Sequence, residues 1–501
     1  MAIEEQNLRL IFGLKLSQFR AEKGFSLKAL AAKANMSVSY LNEIEKGKKY
    51  PKAEKVMALA NALGKNYDDL VSLKLGQKLS PLADLLKTSI LNEIPFEVFG
   101  VDQADVLQIM ANAPTRFSAL VDTIVKIARS YDMKVEHLLL GALRSYQEMH
   151  NNYFEDLEEA AETFLQQQGW SDKPISDELL DEYLRKNHNY EIDYDYLQQS
   201  RELSGMRSVF LPGDKPQLLI NGKMLPAQRA FAMAREIGYE YLGLSNRVTT
   251  STWVKVESFD QLLNNMKASY FAGALLLKRK SMIAELERFF AMPRWDGSVL
   301  TDMATKQQAT PEMLFHRMTQ LIGHHFGITQ FYFLRFNHHT QTGQYKLTKE
   351  LHFSRLHNPH SVGLSEHYCR RWITLNLLDQ LSRKSDSDVK QPPLIGVQRS
   401  RFYQTESEYF NISLARPLML TPGTNSCVTL GFLMNATFRK KAPFSEDESI
   451  TTRTVNETCE RCAITDCQER AAEPVLHNRE LAQERREAAL ERLREEFGTK
   501  D

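Results

Sequence analysis

The sequence predicts a multidomain chain, with an all-α N-terminal part and a helical middle, followed by an α+β region. Three observations carry this. At ~150 residues per domain, 501 residues make about three. Apolar side chains recur at helical spacing through residues 7–73 and 96–164. Beyond Gly327 the texture changes to strand-like alternation. With 43% apolar and 25% charged residues, the composition is that of a folded globular protein. It excludes a disordered chain, a collagen-like chain and a bare coiled coil. No window of ~20 apolar residues offers a membrane span. The start, MAIEEQNLRLIFGLKL, lacks a cleavable apolar core, so a cytoplasmic location is expected. Three of the five cysteines lie within nine residues. Without an export signal that reads as metal ligation rather than disulfides.

Net charge is zero, but residues 1–78 hold 14 Lys and Arg against 8 Asp and Glu. A basic unit on an acidic remainder points to a polyanionic partner at one end.

Five short helices are expected over residues 7–73. Leu8, Ile11, Leu14, Leu16 and Phe19 mark the first, and Lys23-Gly24 ends it. Ser26 caps KALAAKA, Asn35-Met36 supplies a turn, Ser37 caps VSYLNEIEKG and Gly47 closes it. AEKVMALANALG and YDDLVSLK follow. Leu27, Leu30, Ala31, Leu41 and Ile44 form the expected shared core, with small Ala31 where two helices cross. This is a helix-turn-helix pattern. Ser37, Val38, Ser39, Tyr40, Asn42 and Glu43 then belong to the segment that enters a major groove. Asn42 suits adenine and Glu43 suits cytosine, while Lys28, Lys46, Lys48 and Lys49 lie near phosphates. The stretch SLKALAAKANMSVSYLNEIEKGKKYP resembles the XRE (Cro/cI-like) repressor family over residues 8–73. The resemblance implies a lambda repressor-like fold and a double-stranded DNA operator.

KLGQKLSPLADLLKT, with Gly76 and Pro81, reads as a linker. Two apolar stripes follow, Phe117, Leu120, Val121, Ile124 and Ala128, then Leu138, Leu139, Ala142, Leu143 and Tyr146. They bundle within one chain or build a dimer contact. A homodimer is preferred, because helix-turn-helix proteins read two-fold sites as dimers. The acidic run at 155–162 reads as a solvated helix face.

Beyond Trp170, RSVFLP and QLLING suggest a hairpin. Ala234-Arg235-Glu236-Ile237-Gly238-Tyr239 lies on the next expected helix and resembles the HELGH helix of the ImmA/IrrE metallopeptidase family. FAGALLL (271–277) and ATPEMLFHRMTQL (309–321) resemble its next segments, extending the likeness over residues 205–325. A zincin needs His at both i and i+4. Those positions hold Arg235 and Tyr239, and Arg is no metal ligand. A degenerate, non-proteolytic segment is expected, with no catalytic residue; residual metallopeptidase activity is the alternative.

ITQFYFLRF and YKLTKELHF read as strands, EHYCRRWITLNLLDQL as a helix, YFNISLARPLML and SCVTLGFLMN as strands. Cys459-x2-Cys462-x4-Cys467 puts three thiols in one short segment. Cys369 leads the candidates for a fourth ligand, ahead of Cys427, His367 and His477. Four thiolates suit structural zinc or an iron–sulfur cluster. His324-His325 and His338-His339 read as exposed imidazoles.

The whole combination, with Cys369-x-x-Trp372 and the terminal cysteines, resembles the short-chain fatty acyl transcriptional regulators. That resemblance implies an acyl-CoA ligand, a role in short-chain fatty acid metabolism, and a [4Fe–4S] cluster on Cys369, Cys459, Cys462 and Cys467. Zinc is the alternative metal. Arg335, Arg355, Arg370 and Arg371 are the cations offered for the ligand's phosphates. A phage or toxin–antitoxin regulator is the alternative function. The expected divisions are 1–75 (DNA binding), 76–88 (linker), 89–170 (helical middle), 171–325 (peptidase-like), 326–472 (sensor) and 473–501 (charged helix).

Overall fold

The computed structural model describes residues 5–72, 123, 135–250, 258–353, 366–383, 392–403, 405 and 407–497. The chain forms two compact units, Met1–Tyr146 with Lys255–Leu262, and Gln147–Val254 with Leu263–Asp501.

The described start of the first unit is five helices, α1 (Glu5–Glu22), α2 (Leu27–Lys33), α3 (Val38–Glu45), α4 (Ala53–Leu63) and α5 (Tyr67–Val71). The caps are those expected. Ser26 Oγ accepts from the Ala29 N–H and Ser37 Oγ from the Tyr40 N–H, both at 3.1 Å. Asn35 takes the left-handed backbone (φ +48°) that turns α2 into α3. Leu30, Ala31, Leu41 and Ile44 are buried together with Phe12, Leu16, Leu59 and Leu63; Leu27 is only partly buried against them.

Helix α6 (Val135–Met149), where Leu139 is buried, carries the sequence boundary between the units at Tyr146. The linker at 76–88 and the stripe from Phe117 to Ala128 lie outside the described residues.

The second unit opens with α7 (Glu155–Gln167), α8 (Asp177–His188), β1 (Glu191–Asp193), α9 (Tyr196–Gln199), β2 (Ser208–Leu211) and β3 (Gln217–Ile220). The expected hairpin is there, as antiparallel β2–β3, and β1 joins β3 in parallel. Helices α10 (Pro226–Tyr241), α11 (Phe259–Leu276), α12 (Arg279–Phe290), α13 (Ser298–Lys306) and α14 (Pro311–Phe326) follow. Then come β4 (Phe331–His339), β5 (Gln344–His352), α15 (Ile373–Arg383), β6 (Leu394–Phe402), β7 (Glu408–Pro417), β8 (Thr424–Leu433), α16 (Ala436–Lys441), β9 (Thr452–Val455) and α17 (Val475–Phe497). The six-stranded sheet runs β5-β4-β8-β7-β6-β9. Every residue of β8 is buried, because both faces of the sheet are covered. One face packs on α12, α13 and α14 through Leu286, Leu314, Phe410 and Phe432. The other packs on α15 through Leu375, Leu378 and Tyr409. The expected division at residue 326 therefore runs through a shared core.

Two expectations are corrected. The acidic run of α7 is not simply solvated: Glu158 is 1% exposed and takes both Nη atoms of Arg317, at 2.5 and 2.7 Å. Burial opposes ionisation of Glu158, but Arg317 and the Tyr270 hydroxyl outweigh it and hold the carboxyl below its ordinary range. His338 is buried and stacked on Tyr345 at 4.2 Å. The C-terminal helix α17 has no fully buried residue, and its first turn is anchored where the Leu476 and His477 N–H groups donate to the Glu460 carbonyl at 3.0 Å.

Removing one partner of a buried ion pair strands the other charge. Arg317→Met is expected to destabilise the second unit by about 3–5 kcal/mol, read as a lower urea midpoint of tryptophan fluorescence. An unchanged midpoint would contradict this account of the core.

Candidate DNA-binding face and cysteine cradle

In the first unit, the placement of α3 is set from behind. A Cβ on Gly13 of α1 would stand 2.6 Å from the carbonyl oxygens of Ile44 and Glu45, so only glycine lets α1 and α3 approach this closely. Arg20 of α1 grips Glu45 through Nε and Nη2, at 2.6 and 2.8 Å. The Glu45 hydrogen bond raises the Arg20 pKa against the cost of burial. Lys15 is 3% exposed and binds the carbonyls of Asp69 (3.0 Å) and Ser72 (2.5 Å), tying α1 to the end of α5.

The other side of α3 is open. Val38 is 43% exposed, Ser39 is exposed, and Asn42 and Glu43 are half-buried. Ser37 is occupied in capping. Glu43 pairs with Lys49 at 2.8 Å, and the Lys49 ammonium stands 5.9 Å from the Tyr40 ring. A cytosine contact by Glu43 would exchange this pair for the base. Lys28 and Lys48 are exposed, and Lys46 is the C-cap of α3. Of the expected residues, Ser37 to Glu43 lie at or in α3, Lys28 lies on α2, and Lys46, Lys48 and Lys49 follow the C-terminal end of α3.

Residues 16–70 match the helix-turn-helix family model HTH_3. This segment is an XRE-type helix-turn-helix. A 57-residue stretch is 37% identical to the HTH-type transcriptional regulator DdrOP3 of Deinococcus deserti, covering 11% of this chain and 44% of that protein. The chain thus spans less than half the length of that relative. A solved Mycobacterium tuberculosis transcriptional regulator superposes with a TM-score of 0.45 at 19% identity, over 66% of this chain and 92% of that one. The helix-turn-helix leaves most of the chain outside the family match.

In the second unit, the i, i+4 positions of α10 hold a charge network. Arg235 donates to Glu236 Oε1 at 3.0 Å, and Arg247 reaches Glu236 Oε2 at 3.4 Å and Glu240 at 3.0 Å. Tyr239 donates to Asn265 Oδ1 at 3.2 Å, and burial pushes its hydroxyl up to about 12. Both oxygens of Glu236 therefore face guanidinium groups.

The cysteines are gathered by chain pairing. Tyr368 bridges Thr458 antiparallel, the Cys459 N–H donates to the His367 carbonyl (2.9 Å), and the Cys369 N–H to that of Glu457 (3.1 Å). Cys369 stands ahead of α15, not inside the helix expected there. Cys369, Cys459 and Cys462 are buried and Cys467 is half-buried. Burial pushes the Cys369 thiol up to about 11, and Cys459 and Cys462 lie near enough to act on it in the same direction. Among the described residues no three or more His, Cys, Asp or Glu side chains stand grouped closely enough to hold a metal ion. Cys427 lies apart in the middle of β8, and His367 is taken by Glu460 at 2.7 Å.

Arg470, three residues past Cys467, was not singled out by spacing. Its guanidinium binds the carbonyls of Cys459 (3.0 Å), Cys462 (3.2 Å) and Ile464, and its N–H donates to that of Cys467 (3.3 Å). One cation thus folds the whole C-x2-C-x4-C loop. Of the four candidate ligand arginines, Arg335 is held by Glu312 at 2.9 Å. Arg371 donates to the Thr454 carbonyl at 3.2 Å. Arg370 lies over the Tyr345 ring at 4.1 Å with Nη1 buried and unpartnered. Arg355 lies outside the described residues.

Hydrogen bonds from a charged donor contribute about 1.5–3 kcal/mol each. Arg470→Met is therefore expected to speed iodoacetamide labelling of Cys459 and Cys462 at least about tenfold in metal-stripped protein, with far-UV circular dichroism unchanged. Equal labelling rates would show that the loop is folded by something else.

Proposed function

We propose that the chain is a DNA-binding transcriptional regulator in which α3 reads operator bases and the second unit holds an iron–sulfur cluster and answers to a short-chain acyl-CoA. The observation that carries DNA recognition is the open, base-reading side of α3, braced from behind by Gly13 and Arg20 and flanked by Lys28, Lys46, Lys48 and Lys49. Phosphate contacts from the lysines supply affinity, and Asn42 and its neighbours supply discrimination. The match to HTH_3 and the likeness to DdrOP3 support this reading over residues 16–70. The chain acts as a homodimer, since one α3 spans only a half-site.

The cluster is assigned to Cys369, Cys459, Cys462 and Cys467. What supports it is the donor set: thiols without disulfide partners, brought together from two chain segments, three of them buried. Bound there, a cluster would supply a redox-active, structure-bracing centre. The acyl-CoA rests on the family resemblance of the sequence. An effector of that kind alters operator affinity only by binding the DNA-competent and incompetent states unequally.

Fluorescence anisotropy against duplexes selected from a random pool tests DNA recognition. Four phosphate-contacting lysines predict a log–log salt slope of roughly −3.6, and Lys48→Ala should lower its magnitude by about 1. Asn42→Ala should cost about 1–3 kcal/mol of discrimination at one base pair. Binding without sequence preference, unaltered by Asn42→Ala, would overturn the reading. For the cluster, anaerobically purified protein is expected to carry iron and acid-labile sulfide, both lost in Cys459→Ser with Cys462→Ser; zinc in their place would reverse the assignment.

A further inference from the structure

The second unit contains a cavity of about 830 Å³ that the account above does not use. Its volume lies within the range of small-molecule sites. The walls are largely apolar, built by Ile175, Pro226, Leu276, Leu300, Met313 and Leu414 among others. These come from the segment before α8, from α10, α11, α13, α14 and β7, so rigid elements frame the space.

Of the charges on the wall, Asp172, Lys173 and Glu178 are exposed to solvent, and Lys278, Lys306 and Asp177 are committed. Lys278 donates to three carbonyls, those of Trp170, Ser171 and Lys173, at 2.6–2.8 Å. Lys306 pairs with Glu285, and Asp177 pairs with Arg229 at 2.5 Å. Arg416 differs. It is half-buried on β7, on the same strand face as Leu414, two residues away. Among the described residues no carboxylate, carbonyl or hydroxyl meets its guanidinium, and burial lowers its pKa. An arginine partly taken out of water is costly unless an anion answers it.

We infer that this cavity binds a small amphipathic monoanion, an aliphatic carboxylate, whose head pairs with Arg416 and whose chain lies against the apolar wall. A guanidinium meets a carboxylate in a two-pronged, planar fit. The single uncommitted, partly desolvated cation matches one negative charge, not the several phosphate charges of a CoA headgroup. The site therefore goes beyond the acyl-CoA response proposed above and stands whether or not that response exists.

Octanoate titrated into the full chain by isothermal calorimetry tests this. Saturable binding is expected, tightening about fourfold per methylene from butanoate to octanoate. Arg416→Met keeps the apolar stem and should weaken octanoate at least about thirtyfold, with the thermal midpoint unchanged; Arg416→Lys should fall between. Octanoyl-CoA is the second arm, and at equal concentration it should leave octanoate binding in place. No saturable binding to the unaltered chain, equal affinity in Arg416→Met, or displacement by octanoyl-CoA would each overturn the inference. The last would return the cavity to the acyl-CoA effector. None of these outcomes bears on operator recognition, which is read separately.

Discussion

A guanidinium taken fully out of water must be met by a carboxylate. Arg317 obeys this at the centre of the second unit, where Glu158 answers it and Tyr270 and Gln320 complete the set. The pair joins α7 to α14, elements 159 residues apart in sequence. Because α14 also carries one face of the six-stranded sheet through Leu314 and Phe315, the N-terminal helices and the C-terminal strands of this unit share one framework. The cavity beside Arg416 and the strand edge that carries the cysteines both hang from it. Charge compensation in a low-dielectric interior is thus an organising constraint here, alongside apolar burial.

The same logic recurs where the chemistry sits. On α10 and just beyond it, the Arg235, Glu236, Glu240 and Arg247 charges neutralise one another. In the cysteine loop, Arg470 gathers carbonyl dipoles, and the Cys459 sulfur accepts from the Ala471 N–H at 3.3 Å. In the helix-turn-helix, Arg20 and Glu45 cancel behind α3, and on its other side Lys49 pairs with Glu43.

Much of this was legible in the sequence, for physical reasons. Helix caps are local, so Ser26, Ser37 and the Asn35 turn could be read directly, and with them the five-helix order. Alternating strands β4, β5, β7 and β8 were equally visible. What escaped depends on partners distant in the chain. Glu158 looked solvated because the residue that buries it lies far along the chain. Gly13 gave no signal, since its role is a backbone approach between α1 and α3. Strand β6 and the edge strand β9 border stretches with weak alternation. Arg470 and Arg416 are single charges whose meaning comes only from the carbonyls or the empty wall they face. The cysteine spacing was informative as a cluster, but the bridge of Tyr368 to Thr458 was needed to bring Cys369 to it.

The central claim, that α3 enters a DNA groove by its open side, is tested most directly by position-specific photocross-linking. A benzophenone placed at Ser39 should cross-link to bases of a selected duplex, whereas one at Lys23, an exposed position just after α1 and outside the segment expected to enter the groove, should not. Cross-linking confined to position 23, or absent from both while the duplex is bound, would contradict the account.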